Sequence, residues 1–162
     1  MGGVFGVVSK NDCVNDLFYG TDYLSHLGTK RGGLAVKNSD GYSRSIHNIE
    51  NAYFRSKFEQ DIRIFHGSMG IGVISDNDSQ PLIIGSHLGN FSLVTVGKIN
   101  NLEDLARKAY RRKVYFSEST GGKTNPTELV AMLIAECNSF EEGIRKAQAM
   151  IQGSCSMLIL TD

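Results

Sequence analysis

The sequence predicts an α+β domain in which helices cover a sheet. Three observations carry that expectation. Short, apolar, glycine-bearing runs of strand character occupy the chain up to Val96. Apolar residues at helical spacing, with recognisable capping residues, dominate residues 101–151. A last apolar run, Cys155 to Thr161, returns to strand character.

The elements follow in order. Gly3 to Val8 reads as a short buried strand. Asp12 is placed to cap a helix over Cys13 to Leu27, with Gly28 as its stop. Within it Leu17, Tyr23, Leu24 and Leu27 recur at roughly helical spacing. Gly33 to Val36 and Tyr42 to Ile46 read as two strands joined by the turn Asn38-Ser39-Asp40-Gly41. A short helix is expected over Ile49 to Phe58, then strands over Met69 to Ile74, Pro81 to Ile84 and Phe91 to Val96. Asn101 is expected to cap a helix over Leu102 to Arg112, whose apolar face is Leu102, Leu105, Ala106 and Ala109. Asn125-Pro126 supplies an N-cap and a first-turn proline for the next helix. Ser139 and Glu142 have the spacing of a capping box for a helix through Ile151, which Gly153 ends.

The chain has 162 residues, enough for one domain with a sizeable core. Lys+Arg and Asp+Glu are 17 each, and this balance argues against a broad nucleic-acid surface. No apolar run reaches the ~18 residues of a membrane span, and no basic-then-apolar signal layout opens the chain. A cytoplasmic location without membrane contact is the resulting expectation. Cys13, Cys137 and Cys155 are odd in number and far apart, so neither a disulfide framework nor a CxxC metal site is expected. His26, His47, His66 and His87 lack metal-ligand spacing, so no metal is expected either, and no cofactor motif stands out.

Several stretches together resemble the N-terminal glutaminase domain of class II glutamine amidotransferases, most nearly that of amidophosphoribosyltransferases. Gly3-Val4-Phe5-Gly6-Val7 is similar to the family's opening, where a cysteine directly precedes Gly-Ile-Phe-Gly-Ile. Leu24-Ser25-His26-Leu27-Gly28, followed by Gly33-Leu34, resembles Leu-Gln-His-Arg-Gly-Gln…Gly-Ile. Met69-Gly70-Ile71-Gly72 and Ser79-Gln80-Pro81-Leu82 resemble Met-Gly-Ile-Gly-His…Ala-Gln-Pro. Thr127-Glu128-Leu129 is similar to a Ser-Asp-Thr-Glu helix start, and Gly153 to Leu160 to a Gly-Ala-Tyr-Ser-Leu-Val-Ile-Leu strand. The resemblance implies the four-layer αββα sandwich of N-terminal-nucleophile hydrolases, over residues 1–162. It also implies a fragment, because the family domain continues beyond this last strand and a phosphoribosyltransferase half follows it. That absent half is the partner the resemblance suggests, together with a homo-oligomer.

The family's functional residues do not carry over. An N-terminal nucleophile needs a thiol or hydroxyl on the residue whose α-amine is its base, and the matching position is Gly2. Leu27 stands where the family has an arginine beside the site. The family's His-Thr-Arg-Tyr loop clamps a carboxylate with a guanidinium; here Gly72 runs into Val73-Ile74-Ser75-Asp76, without an arginine. The oxyanion-hole segment His-Asn-Gly is matched by Val96-Gly97-Lys98, or with a small shift by Asn100. The aspartate that takes the substrate's amino group is matched by Pro126, which cannot accept that bond.

Three functions are compatible with this pattern. The first is a glutaminase-like domain without glutaminase activity, in a protein related to the enzyme that makes phosphoribosylamine from glutamine and PRPP in purine biosynthesis. The second is an active amidotransferase whose N-terminal cysteine has been replaced. The third is a non-catalytic ligand-binding or oligomerisation module. Retention of Met1 would accord with the first. Three further features have bland readings: Thr120-Gly121-Gly122-Lys123-Thr124, partly similar to a phosphate loop, as a turn; Lys30-Arg31 before Gly32-Gly33 as a solvated turn; and the cluster Arg107, Lys108, Arg111, Arg112 and Lys113 as cations suited to a helix C-terminus.

Overall fold

A computed structural model describes residues 2–28, 30–76, 78–117, 119–120 and 122–162. Met1 and Gly121, which enter the readings above, lie outside the described residues.

Strand β1 (Gly3–Val8) leads to helix α1 (Val14–Tyr23), a 3-10 turn (Ser25–Leu27) and the hairpin β2 (Arg31–Asn38) and β3 (Gly41–Asn48). Two short helices, α2 (Phe54–Phe58) and α3 (Asp61–Ile64), precede β4 (Met69–Ser75). Strands β5 (Leu82–Ser86) and β6 (Gly89–Ile99) lead to α4 (Leu102–Arg111), the two-residue strands β7 (Ser119–Thr120) and β8 (Lys123–Thr124), α5 (Pro126–Ala135), α6 (Phe140–Met150) and β9 (Gly153–Thr161). Two larger antiparallel sheets result, ordered β1-β4-β2-β3 and β5-β6-β9, and β7 and β8 pair separately as a two-stranded ribbon.

Strand alternation sorts the side chains into layers. Leu34, Val36 and Ile74 face α1 and α2, where they meet Leu17, Phe18, Phe54 and Phe58. Ala35, Ile71 and Val73 point the other way and meet Val94 and Leu160 of the second sheet. On the far side of that sheet Phe91 and Leu93 pack beneath Leu105, Leu129, Leu133 and Ala147. This is an αββα sandwich, as the resemblance implies. The sheets are also tied by polar bonds: Tyr42 Oη donates to the Leu160 carbonyl at 3.1 Å, and Lys37 pairs with Asp162 at 2.6 Å.

Most element positions agree with the sequence reading to within a few residues, and four details differ for physical reasons. The helix expected over Cys13 to Leu27 divides, because the Leu24 amide bonds three residues back to Thr21 and the last turn tightens into 3-10 geometry. Asp12 still serves its start, accepting from the Val14 amide. The helix expected from Ile49 begins only at Phe54, because the Ile49 amide is committed to the Lys30 carbonyl and prolongs the hairpin. The Asn101 side chain does not cap α4; its amide donates to the Met150 carbonyl and its oxygen accepts from Gln152, joining α4 to the end of α6. In the Ser139 box, Ser139 accepts from Glu142 as expected, but Glu142 returns its bond to the Asn138 amide. The cap of α5 is as read, with the Asn125 side chain accepting from Thr127 and Glu128.

One buried polar junction joins both sheets to α5. The register that pairs Leu82 with Leu93 brings Gln80 opposite Thr95, and there the Gln80 side chain replaces a strand. Its amide donates to the Thr95 carbonyl and its oxygen accepts the Thr95 amide, each at 2.8 Å. Thr127 Oγ1 donates to the same oxygen and lies 2.6 Å from Thr95 Oγ1. From the first sheet, Gly33 backs directly onto this segment: a Cβ there would collide with the Gln80 carbonyl oxygen. Substituting Gln80→Met keeps volume but orphans the buried amide and carbonyl of Thr95 at about 1–3 kcal/mol each, while the Thr127 hydroxyl keeps Thr95 Oγ1 as a partner. A loss of about 2 kcal/mol or more is expected, read in urea as a lower midpoint with an unchanged slope.

Candidate functional site: an open cleft at the ends of β1, β4, β6 and β9

A cleft of about 490 Å3 opens where the two sheets splay apart. Gly2, Ser75, Asp76, Asp78 and Gln80 line one side, and Thr95 to Ile99, Ser154 and Cys155 another, with Pro126 at the start of α5. Each residue is there for a local reason. Gly2 is held beside β4 by the pairing of Gly3 with Ile74. Gly97 has φ +146, a value that favours glycine, and a Cβ there would collide with the Ser154 carbonyl oxygen. Pro126 occupies the first turn of α5, where its missing amide costs nothing.

Gly2, Gly97, Lys98 and Pro126, all matched to the family site, therefore surround one cleft, together with Ser75, Asp76 and Val96 of the matched segments. Leu27 and Val73 do not line it. Leu27 is on the 3-10 turn, its side chain close to Gly3 and 38% exposed. Val73 is a strand residue of β4, buried between the sheets, so it belongs to no clamp loop; the loop begins only after Ser75. Asn100 does not line the cleft, because its amide is bound to the Gln152 carbonyl in the turn beyond β6.

Asp78 is a cleft residue that no motif pointed to. Burial pushes its carboxyl up from the ordinary carboxylate range, while Arg31 pulls it down in part. Arg31 opens β2 opposite Ser75, so the Lys30-Arg31 pair is divided between a turn and a strand that reaches the cleft loop. Distance along the chain hid this pairing, because only the β2–β4 register brings the two together.

The hydroxyls around the cleft are already engaged. Ser75 Oγ donates to the Asp78 carbonyl at 3.1 Å, Ser154 Oγ accepts from the Lys98 amide at 3.3 Å, and Thr95 belongs to the buried junction. No imidazole lines the cleft among the described residues. Cys155 packs partly into the helix-side core, and burial raises its thiol, which opposes thiolate formation. Cys13 is buried at the start of α1, and burial and nearby acids push its thiol up as well. Away from the cleft, Ser45, His47 and Asp61 meet at 3.0 and 2.6 Å, but both contacts fall on His47 Nε2. A serine–histidine–acid relay requires the acid on the other ring nitrogen, so this cluster is a structural link from β3 to α3.

A carboxyl raised by burial favours the folded state while protonated and disfavours it once ionised. Asp78→Asn is therefore expected to raise the melting temperature at pH 7. The gain should shrink as pH falls and vanish below the ordinary aspartate range near ~3.9. A pH series of thermal melts checks this.

No protein-family model matches the chain. Over 140 residues it is 28% identical to the isomerizing glutamine–fructose-6-phosphate aminotransferase of Lactiplantibacillus plantarum, covering 83% of this chain and 22% of that protein. Over 119 residues it is 27% identical to the amidophosphoribosyltransferase of Pseudomonas aeruginosa, covering 68% of this chain and 23% of that one. The fold is similar to that of the glutamine PRPP amidotransferase of B. subtilis complexed with ADP and GMP, with a TM-score of 0.84 and 21% identity. A structure of the allosteric regulatory enzyme of purine biosynthesis gives 0.83 and 20%. Both likenesses cover 99% of this chain and 35% of the other. The chain thus spans less than a quarter of the length of the sequence relatives it matches, and it has the fold of an N-terminal glutamine amidotransferase domain.

Proposed function

We propose that this is a glutaminase-like domain, related to that of amidophosphoribosyltransferases, which keeps the cleft of the fold and does not hydrolyse glutamine. The observation that carries the reading is the packing around Gly2. Acyl transfer from an amide needs a nucleophile, a base within hydrogen-bond reach and donors for the oxyanion. Gly2 offers no nucleophilic side chain. Moreover, a Cβ built there would collide with the Ile74 carbonyl oxygen, so the backbone around Gly2 is packed for glycine. A chain that had lost only its cysteine would be expected to keep room for one.

The remaining lining supports the same reading. Among the described residues no arginine lines the cleft to clamp a carboxylate, and the Pro126 side chain brings no acceptor for an ammonium. Lys98 supplies a cation there, but as a point charge without the bidentate geometry of a guanidinium. The cleft still encloses Asp78, Lys98 and several main-chain groups, so small-molecule binding without turnover is part of this proposal. Transfer chemistry on PRPP belongs, in this reading, to a part of the protein that the chain does not include.

The test is Gly2→Cys in protein whose Met1 has been removed. The expected outcome is a fold destabilised by about 1–3 kcal/mol through overpacking and no release of ammonia from glutamine. Ammonia release above the unmodified protein would overturn the proposal in favour of an active amidotransferase with a replaced nucleophile.

A further inference from the structure

Two features that the cleft leaves unused lie against each other in the fold. One is the basic helix α4; the other is the segment Gly122-Lys123-Thr124, the later half of the sequence partly similar to a phosphate loop. Both line a groove of about 350 Å3, together with Leu102, Glu103, Ala106, Arg107 and Tyr110. The groove lies on a helix layer, apart from the lining of the cleft.

The groove combines a cationic end with a flat aromatic wall. Glu103, Arg107 and Tyr110 recur at helical spacing and share one face of α4. The Tyr110 ring is held from two sides: Phe116 meets it edge-on with centroids 5.4 Å apart, and its hydroxyl lies 3.3 Å from Thr124 Oγ1. Lys123 makes no ion pair among the described residues. Among the described residues Arg107 is engaged only by Asp104, at 3.2 Å, with both side chains more than 60% exposed. Such a pair is weak and yields readily to a competing anion. Lys108, Arg111 and Lys113 follow on the same helix end and are likewise without ion pairs among the described residues, which makes the local potential positive although the chain as a whole is neutral. Glu103 is the one acid in the lining among the described residues. It confines the anion to the Arg107–Lys123 end and is suited to accept hydrogen bonds from hydroxyls or amines at the other.

We propose that the groove between α4 and β8 binds a small phosphate monoester, with the phosphate between Arg107 and Lys123 and the rest of the molecule along the Tyr110 ring. A guanidinium presents paired donors to phosphate oxygens, and the ammonium of Lys123 adds a second charge-assisted contact. The Thr124 hydroxyl is placed to turn from Tyr110 to a phosphate oxygen. The lone two-residue hairpin gains its purpose in this arrangement: β7–β8 carries Lys123 to the face of α4.

The test is calorimetric titration of the chain with AMP, ribose 5-phosphate, inorganic phosphate and adenosine. Both esters are expected to bind and adenosine is not. Tighter binding of AMP would assign the natural ligand to nucleotides resting on Tyr110, and tighter binding of ribose 5-phosphate to sugar phosphates. The double variant Arg107→Glu, Lys123→Glu should weaken ester binding by about a hundredfold or more, since two charge-assisted contacts are reversed. Lys123→Ala should weaken it by about tenfold, and because Lys123 is exposed, this second variant serves if the first fails to fold. Lys98→Ala, in the cleft, should leave it unchanged, which separates this site from the glutaminase-like one. No binding of either ester at millimolar concentration would overturn the proposal. So would inorganic phosphate or adenosine binding as tightly as the esters, or binding that survives charge reversal.

Discussion

The structure depends on the junction at Gln80. Two sheets packed through Val73, Val94 and Leu160 have no intrinsic reason to stop sliding over one another, since apolar burial is non-directional. Gln80 supplies the direction. Its side chain completes the edge of β6 at Thr95, its oxygen receives the hydroxyl of Thr127 at the start of α5, and its main chain presses on Gly33 of the other sheet. Arg44 of β3 adds a bond to the Pro81 carbonyl. Gln80, Thr95, Thr127 and Gly33 are buried, and no buried side-chain polar atom among the described residues lacks a partner. A fully satisfied network of this kind specifies one arrangement of the layers.

That junction also explains the cleft. Beyond Gln80 the chain leaves the sheet, so β5 covers β6 only as far as Leu93, and the far end of β6 from Val96 to Ile99 faces open space. Gly97, at positive φ, brings that end of β6 close to the Ser154 main chain. Gly2 and the loop after Ser75 approach from the other sheet. The scaffold thus creates an opening with the ends of four strands around it, whatever residues occupy them. In the reading proposed above, the residues at those ends changed while the buried junction that shapes the opening stayed in place. This is physically reasonable, because Lys98 and Pro126 at the rim are exposed or half-buried and can be replaced at little cost in stability, whereas the buried Gln80, Thr95 and Thr127 cannot.

Sequence reasoning reached the cleft unevenly. Gly2, Gly97, Lys98 and Pro126 are far apart in the chain, and only the motif likeness grouped them; the structure places all four around one opening. The motif likeness puts Val73 at a clamp loop, but the strand register does not: with Gly3 opposite Ile74, the strand runs on to Ser75 before any loop starts. Asp78 carried no signal at all, since an aspartate between Asp76 and Gln80 looks like an ordinary loop acid until its burial and its nearness to Arg31 are known. The hairpin of β7 and β8 looks like a plain turn in the sequence, because two-residue strands leave no periodicity to detect.

Local chemistry was what the sequence by itself determined. Strand and helix positions, the Asn125 cap with Pro126, the Ser139 acceptor and the hairpin turn before Gly41 follow from side-chain spacing and from groups within a few residues of one another. Only the tertiary structure decided which distant groups share a space. Examples are Asn101 bonding to the end of α6 rather than capping α4, Gln80 serving as a substitute strand, Arg31 reaching toward Asp78, and Lys123 standing against α4. These pairings turn on strand register and layer packing. A side chain's immediate neighbours in the sequence do not encode either one, because register is set by the burial of whole faces at once.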